Sequence, residues 1–183
     1  MKIEIETRFL GIDKNALILK LNELGSVDKG EVKLNDTIFY DKNSKWLEEN
    51  IVVKLREKNS EAKLIYKVNK ENKIDSAREI EFSVSSPTDA KEFLEAIGLV
   101  AYRAIEKFRH SFLLDNVIID IDTWPKIPVY VELEGDSVED LKKVAAKLKL
   151  NWEDRFDGDP RMVFKKYGFD FDNIRTITFD KFE

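Results

Sequence analysis

Apolar and polar residues alternate with a period of two along several short segments of the chain, and the pattern begins in residues 3–9. One face of that segment carries Ile3, Ile5, Thr7 and Phe9. The other face carries Glu4, Glu6 and Arg8. A period of two is the side-chain repeat of a β-strand. Because neighbouring carboxylates repel each other unless a cation lies between them, this face either contacts water or holds a ligand.

The same alternation returns along the chain. Further strands are predicted at residues 32–41, 51–58, 62–69, 78–84, 102–114, 117–123, 129–134 and 176–179. Helices are predicted at residues 13–24, 88–97, 138–148 and 160–167. Asp13 is the expected cap of the first helix and Gly25 its stop. Three times, a strand with a Glu-x-Glu or equivalent acidic pair precedes a helix. Many strands and few helices predict an α+β fold with an antiparallel sheet.

Length and charge narrow the class of protein. The 183 residues, 37% charged and 43% apolar, predict one globular domain over residues 1–183, without a linker that divides it. A net charge of −5 argues against a nucleic-acid polymer or a membrane surface as partner. The absence of cysteine excludes disulfides, thiolate metal sites and cysteine nucleophiles. Without a signal-peptide pattern or a long apolar run, the expected location is the cytoplasm.

The charged strand faces have different surroundings in an open sheet and in a closed one. On an open sheet they would face water, whereas a closed sheet would turn its apolar faces outward onto the helices and its charged faces into the lumen. The carboxylates of that lumen would be Glu4, Glu6, Glu79, Glu81, Asp120, Asp122, Glu132 and Glu134. Its cations would be Arg8, Lys54, Arg56, Lys67, Lys107 and Arg109. Enclosed charges are costly unless water, mutual pairing or a ligand compensates them.

These two sets of side chains suit complementary parts of one ligand. Lysine and arginine bind phosphate oxygens, arginine through a bidentate fork. Clustered carboxylates supply hard oxygen ligands for Mg²⁺ or Mn²⁺. The pattern therefore indicates a site for a polyphosphate and a divalent metal.

The order of these residues resembles the CYTH superfamily, the triphosphate tunnel metalloenzymes. The resemblance covers about residues 1–135 and is carried by Glu4-x-Glu6-x-Arg8, Lys54-x-Arg56, Lys67, Glu79-x-Glu81, Lys107-x-Arg109, Asp122 and Glu132-x-Glu134. Residues 136–183 fit only in outline. The family resemblance implies a closed eight-stranded antiparallel tunnel with a polar, charged interior and helices packed outside.

The resemblance also implies roles for individual residues. The triphosphate would be held by Lys54, Arg56, Lys67, Lys107 and Arg109. One or two Mg²⁺ or Mn²⁺ ions would be held by Glu4, Glu6, Asp122, Glu132 and Glu134. The catalytic residues would be Glu4, Glu6 and Arg8. Glu79 and Glu81 would orient the basic side chains, and metal binding is a second role for them.

The substrate class stays open at this point. A small-molecule triphosphate such as ATP, thiamine triphosphate or tripolyphosphate is the implied partner, and hydrolysis needs no adenosine pocket. The alternatives are a class IV adenylyl cyclase, which forms cyclic AMP and pyrophosphate from ATP, and a binding module without catalysis. A homodimer is an assembly that the sequence leaves open.

Several residues depart from the family pattern or carry another interpretation. Arg8 stands where the signature usually has lysine, which changes geometry at equal charge. The loop at 123–129 contains Trp124 and two prolines, which predict a stiff rim. Asp120 lies outside the pattern. His110, the only histidine, lies on the apolar face of its strand and is interpreted as a packing residue.

Overall fold

The computed structural model describes residues 1–69, 71, 73–74 and 77–183. Within them, nine strands form one sheet. The strands are β1 (Lys2–Leu10), β2 (Val27–Asp41), β3 (Ile51–Lys58), β4 (Glu61–Asn69), β5 (Ala77–Val84), β6 (Leu99–Leu114), β7 (Val117–Thr123), β8 (Tyr130–Gly135) and β9 (Thr176–Ile177). The helices are α1 (Lys14–Glu23), α2 (Lys45–Glu48), α3 (Pro87–Ala96), α4 (Val138–Lys147) and α5 (Pro160–Lys166).

The sheet closes on itself. Its strand order is β2-β3-β4-β5-β1-β8-β7-β6, and β6 pairs back onto β2 from Val27 opposite Leu113 to Asp41 opposite Leu99. All eight of these strands pair antiparallel, while the short β9 adds in parallel beside Ala104 and Ile105 of β6. Closure removes the unpaired edges of an open sheet. The predicted α+β fold with an eight-stranded antiparallel barrel is therefore confirmed.

The two faces of β1 show why the charged side chains lie inside. Glu4, Glu6 and Arg8 line the lumen. Thr7 and Phe9 point the other way and are buried on the outside of the barrel. A continuous apolar core lies there, between strands β1, β6, β7 and β8 and helices α1 and α4. Burial of that apolar surface under the helices fixes the direction in which the charged face points.

The helix boundaries agree with the capping pattern. The Oδ1 of Asp13 accepts a hydrogen bond from the backbone N–H of Ala16 at 3.0 Å, as expected for an N-cap. Gly25 follows α1 with a φ of 71°, a left-handed conformation that glycine adopts at low cost. Ser86 and Ser137 cap α3 and α4 in the same way as Asp13 caps α1.

The structure differs from the predicted elements in three respects. β2 and β6 begin earlier than predicted, because their mutual pairing continues beyond the apolar segments. The short helix α2 occupies residues predicted to follow a simple turn, and Asp41 accepts a hydrogen bond from the Trp46 N–H at its start. The outer face of β5 is not covered by a helix, since Ile80 and Phe82 are 45% and 55% exposed.

The C-terminal segment packs on one end of the barrel. It contains α5, two 3₁₀ turns at Trp152–Asp154 and Phe171–Asn173, and β9. Its residues form a second apolar core with β2, β6 and the loop after β7, and Phe164 is fully buried at its centre. The predicted short helix at 160–167 and a last strand near 176 are both present. The segment therefore belongs to the wall around one end of the lumen.

Candidate active site in the barrel lumen

A cavity of about 250 Å³ occupies the lumen of the barrel. Twelve of the thirteen site residues predicted from the sequence line it: Glu4, Glu6, Arg8, Lys54, Arg56, Lys67, Glu79, Glu81, Lys107, Arg109, Glu132 and Glu134. The thirteenth, Asp122, is fully buried directly behind two of the cations. The barrel therefore brings together cavity-lining side chains from six strands, and Asp122 lies on a seventh.

Carboxylates crowd one side of the cavity. Glu6 on β1 lies directly opposite Glu134 on β8. Glu4 lies on the same face of β1 and is 7% exposed. The ammonium group of Lys67 bridges Glu4 at 2.7 Å and Glu6 at 2.8 Å. Like charges in directly opposed positions destabilise a sheet, so this arrangement favours a further cation between the strands.

Asp122 holds two of the phosphate-binding candidates in place. Its Oδ2 accepts hydrogen bonds from the Nζ of Lys107 at 2.6 Å and from Nη2 of Arg109 at 2.7 Å. Its Oδ1 accepts from Nε of Arg109, also at 2.7 Å, so the guanidinium fork is bidentate. Arg109 also pairs with Asp120 and Glu132. Burial and Arg109 lower the pKa of Lys107 to about 8 despite the Asp122 carboxylate.

Asp120, which lies outside the family pattern, has a structural position beside this cluster. Its Oδ1 accepts a hydrogen bond from the Ser111 hydroxyl at 2.6 Å, and the residue is 6% exposed. Burial raises the pKa of its carboxyl, although Arg109 opposes the shift.

His110 does not line the cavity. It hydrogen-bonds Asp28 at 2.8 Å and stacks on Phe112, in keeping with the packing interpretation.

Asp36 on β2 is a lumen residue that the sequence reasoning missed. Its carboxylate accepts from Nε and Nη2 of Arg56, both at 2.8 Å, and lies 3.8 Å from Nζ of Lys54. Burial alone would raise the pKa of Asp36, but Arg56 and Lys54 hold it well below its usual range. The one signal in the sequence is that Asp36 shares a strand face with the apolar residues Leu34 and Ile38.

Arg8 was predicted to be catalytic, and the structure places it between the carboxylates and the C-terminal segment. It is 3% exposed. Its Nη1 donates to the carbonyl oxygen of Gly158 at 2.9 Å, while Nη2 forms ion pairs with Glu132 and, at 3.3 Å, with Glu6. A planar fork reaches a carbonyl and a carboxylate at once, which a single ammonium group does not. This geometry explains an arginine where the family signature usually has lysine.

We expect Arg8→Lys to loosen the C-terminal segment from β1. The charge beside Glu132 is retained, but the bond to the Gly158 carbonyl is lost, at a cost of about 1.5–3 kcal/mol for a hydrogen bond from a charged donor. Limited proteolysis with trypsin should then cut faster at Lys165 and Lys166. Arg78→Lys, the same substitution at an exposed position of β5, is the matched comparison and should leave the cleavage rate unchanged. An unchanged cleavage rate in Arg8→Lys would contradict the tethering role.

Burial, and then the neighbouring carboxylate of Glu4, raise the pKa of Glu79 to about 7 from a usual 4.5. The folded protein holds this proton more tightly than the unfolded chain. The resulting stabilisation is complete below pH 4.5 and is lost as the pH rises through 7.

We therefore expect the melting temperature to contain a component that falls between about pH 4.5 and about pH 7. Glu79→Gln should remove that component, as measured by thermal unfolding at a series of pH values. Glu57→Gln, on the exposed outer surface, should retain it. An equal slope in wild type and Glu79→Gln would refute the assignment.

The carboxylates that line the cavity match the ligand preference of a divalent metal ion. No group of three acidic or histidine side chains in the described part of the chain forms a metal-binding arrangement as it stands. The opposed pair of Glu6 and Glu134 and the raised pKa of Glu79 nevertheless show a surplus of carboxylate on this side of the cavity. Carboxylate oxygens are the ligands that Mg²⁺ and Mn²⁺ prefer. The residues therefore fit such an ion in their chemistry.

The C-terminal segment closes one end of the cavity, which we call the tail-side end. The sequence did not predict this contribution. Asp159, Arg161 and Phe171 line the cavity from this segment. Nη2 of Arg161 donates to Oδ1 of Asn50, just before β3, and to Asp159. The contact with Asn50 joins parts of the chain more than a hundred residues apart, so no local pattern marks it. Trp124, on the predicted stiff rim, is 5% exposed and packs edge-on against Phe164.

The fold and the site define a closed antiparallel barrel with a charged interior. A CYTH domain model matches residues 2–157, and the chain belongs to the CYTH family. Members of this family are generally metal-dependent triphosphatases or adenylyl cyclases. No match is found among curated proteins. None of the described helices is both long and apolar enough to cross a bilayer.

Solved structures agree with the fold. The PH1012 protein of Pyrococcus horikoshii has a TM-score of 0.75 at 20% identity, over 88% of this chain and 99% of the other. A "putative adenylate cyclase" of Vibrio parahaemolyticus has a TM-score of 0.78 at 15% identity, over 90% and 98%. A "putative adenylyl cyclase" of Hippeastrum, for which a dominant triphosphatase activity is described, has 0.67 at 14%, over 92% and 97%. At these identities the similarity shows the shared fold.

Proposed function

We propose that the protein is a divalent-metal-dependent phosphohydrolase that cleaves a triphosphate inside the barrel. The observation that carries the proposal is the shared cavity: eight cationic side chains and eight carboxylates line one enclosed space. A site for a plain anion would gain from losing the carboxylates, and a site for a plain metal would gain from losing the cations. A ligand with both parts, a polyphosphate with its metal, would use the two sets together.

The cations would bind and orient the triphosphate. Asp36 and Asp122 hold Arg56 and Arg109 from behind through Nε and Nη2, so little side-chain freedom is lost when the remaining N–H groups meet the phosphate. The ammonium groups of Lys54, Lys107 and Lys67 supply further charge. In hydrolysis, water attacks the terminal phosphorus, the bridging P–O bond breaks, and orthophosphate separates from the diphosphate.

Glu4, Glu6, Glu132 and Glu134 would hold the metal, with Glu79 beside them. Bound Mg²⁺ or Mn²⁺ would neutralise charge on the phosphate oxygens and lower the pKa of the attacking water. Asp122 is paired with Lys107 and Arg109. Its predicted role as a metal ligand stays a prediction, and its pairing indicates that it positions these two cations. Arg8 would keep Glu132 and Glu6 in place.

A second candidate is an adenylyl cyclase, in which the ribose 3′-hydroxyl attacks the α-phosphorus and pyrophosphate leaves. Apolar side chains at the tail-side end of the cavity, which could contact an adenosine, favour it. The same side chains would serve a hydrolase of organic triphosphates. A binding module without turnover is the third outcome that the experiment below distinguishes. A cytoplasmic location and a homodimer stay predictions.

A phosphorus NMR time course tests the proposal. ATP, tripolyphosphate and thiamine triphosphate are supplied separately with Mg²⁺, with Mn²⁺, or with EDTA as the metal-free control. Metal-dependent release of orthophosphate would support the hydrolase, and cyclic AMP with pyrophosphate would establish the cyclase instead. Shifted substrate resonances without turnover would indicate a binding module.

A further inference from the structure

Asp120 is a buried carboxylate that has no part in the proposed mechanism. Both of its oxygens have partners: Oδ1 accepts a hydrogen bond from the Ser111 hydroxyl at 2.6 Å, and Oδ2 accepts one from Nη1 of Arg109. Ser111 lies directly opposite Asp120 in the pairing of β6 with β7. Asp120 is therefore fixed at two points, and one of them is the end of a proposed phosphate-binding side chain.

Arg56 provides an internal comparison for Arg109. A guanidinium group has five N–H donors. Arg56 donates from Nε and Nη2 to Asp36, and Arg109 donates from Nε and Nη2 to Asp122, so the two arginines are held alike. Two bonds out of five donors leave three N–H groups on each arginine. Those of Arg56 have no hydrogen-bond partner among the described residues, so all three are available to a phosphate.

Arg109 differs because two of its three remaining N–H groups already meet carboxylates. Nη1 donates to Asp120, and Nη2 donates to Glu132 at 3.2 Å. One N–H group, on Nη1, is left for a phosphate oxygen. Arg109 therefore offers less to a phosphate than Arg56 does, and Asp120 is one cause of the difference.

The strand register explains why Arg109 bridges these two carboxylates. Asp120 on β7 lies directly opposite Glu132 on β8. Like charges in opposed positions repel each other, and a cation between them removes the repulsion. The end of Arg109 reaches both, with Nη1 on Asp120 and Nη2 on Glu132. Without the Asp120 charge, this end would be free to turn toward a phosphate and away from Glu132.

We propose that Asp120 is a positioning residue, which holds Arg109 as a bridge to the proposed metal ligand Glu132 and leaves Arg56 as the principal arginine for the phosphates. This inference rests on the proposed function and deepens it, because it assigns the two arginines different tasks in one site. Asp120 acts through Arg109. Its negative charge weakens the binding of the polyanion and at the same time holds Glu132 in place.

Isothermal titration with tripolyphosphate in Mg²⁺ measures the effect of the Asp120 charge. We expect Asp120→Asn, which keeps the shape of the side chain, to bind about tenfold more tightly than wild type, because a negative charge near the polyanion is removed and Nη1 of Arg109 becomes available. Asp115→Asn removes the same charge from the exposed turn between β6 and β7, and should bind within about twofold of wild type.

The opposite results are equally clear. A merely structural Asp120 would lower the affinity when replaced, so unchanged or weaker binding by Asp120→Asn would overturn the proposal. Failure of the wild-type protein to bind tripolyphosphate would overturn the proposed function as well.

A matched pair of arginine variants tests the division of tasks without changing Asp120. Lysine keeps the charge of arginine and loses its fork. Arg56→Lys should weaken tripolyphosphate binding by about tenfold, whereas Arg109→Lys, with one N–H group at stake, should weaken it by about threefold or less. An equal loss in the two variants would overturn the proposal and leave the proposed function intact.

Turnover separates positioning from a structural role. With the triphosphate that releases orthophosphate, KM and kcat should both fall in Asp120→Asn, kcat by about tenfold, because Glu132 loses its bridge. A fall in kcat with KM unchanged or raised would show that Asp120 only stabilises the barrel, and would overturn the proposal.

Discussion

Replacement of Asp122 with asparagine is expected to lower the free energy of unfolding by about 3–5 kcal/mol, the usual cost of removing one partner from a buried ion pair. Asp122 has no exposed surface and is the shared partner of Lys107 and Arg109. Without its charge, two buried cations face each other with less compensation. Urea unfolding measures the loss, and the affinity for tripolyphosphate should fall as the two cations move.

Asp120→Asn is the matched control for this experiment. Asp120 lies two residues away on the same face of β7 and also pairs with Arg109, yet burial raises the pKa of its carboxyl. Because burial already disfavours the anion of Asp120, we expect its replacement by a neutral amide to lower the free energy of unfolding less than the same change at Asp122. A destabilisation by Asp120→Asn as large as that of Asp122→Asn would show that proximity to Arg109, and not the shared pairing, determines the effect.

Glu132→Gln should abolish most of the proposed activity, with a loss of at least about a hundredfold in kcat, because it removes a proposed metal ligand at almost unchanged shape. Burial would raise the pKa of Glu132, but Arg8 and Arg109 hold it well below its usual range, so the carboxylate stays charged at any working pH. The rate of orthophosphate release at saturating Mg²⁺ is the measurement.

The control must separate lost chemistry from lost folding. Glu57→Gln makes the same substitution at an exposed position of β3 and should leave the rate within about twofold. The melting temperature of Glu132→Gln, with and without tripolyphosphate, shows whether the barrel is intact. If a folded Glu132→Gln protein keeps the wild-type rate and metal dependence, then Glu132 is not a metal ligand.

Asp36 and Arg8 show the limits of a strand-by-strand interpretation. The alternation in β1 put Arg8 on the charged face, but its contact with Gly158 depends on a segment 150 residues later in the chain. Asp36 shares a face of β2 with the apolar residues Leu34 and Ile38. Its function as the partner of Arg56 follows only from the register of β2 against β3. The exposed Ile80 and Phe82 have the apolar parity predicted for β5, yet none of the helices in the described residues covers them.

The sequence by itself determined which side chains share a face, because the period of two is a local property of an extended backbone. That was enough to predict the strands, an antiparallel α+β fold and most of the charged residues of the lumen, while the resemblance to the CYTH superfamily supplied the closed barrel. Only the tertiary structure decided how the charges pair, where the C-terminal segment closes the cavity, and where the wall becomes apolar. These features depend on strand register and on contacts between distant segments, and such contacts leave no periodic signal in the chain.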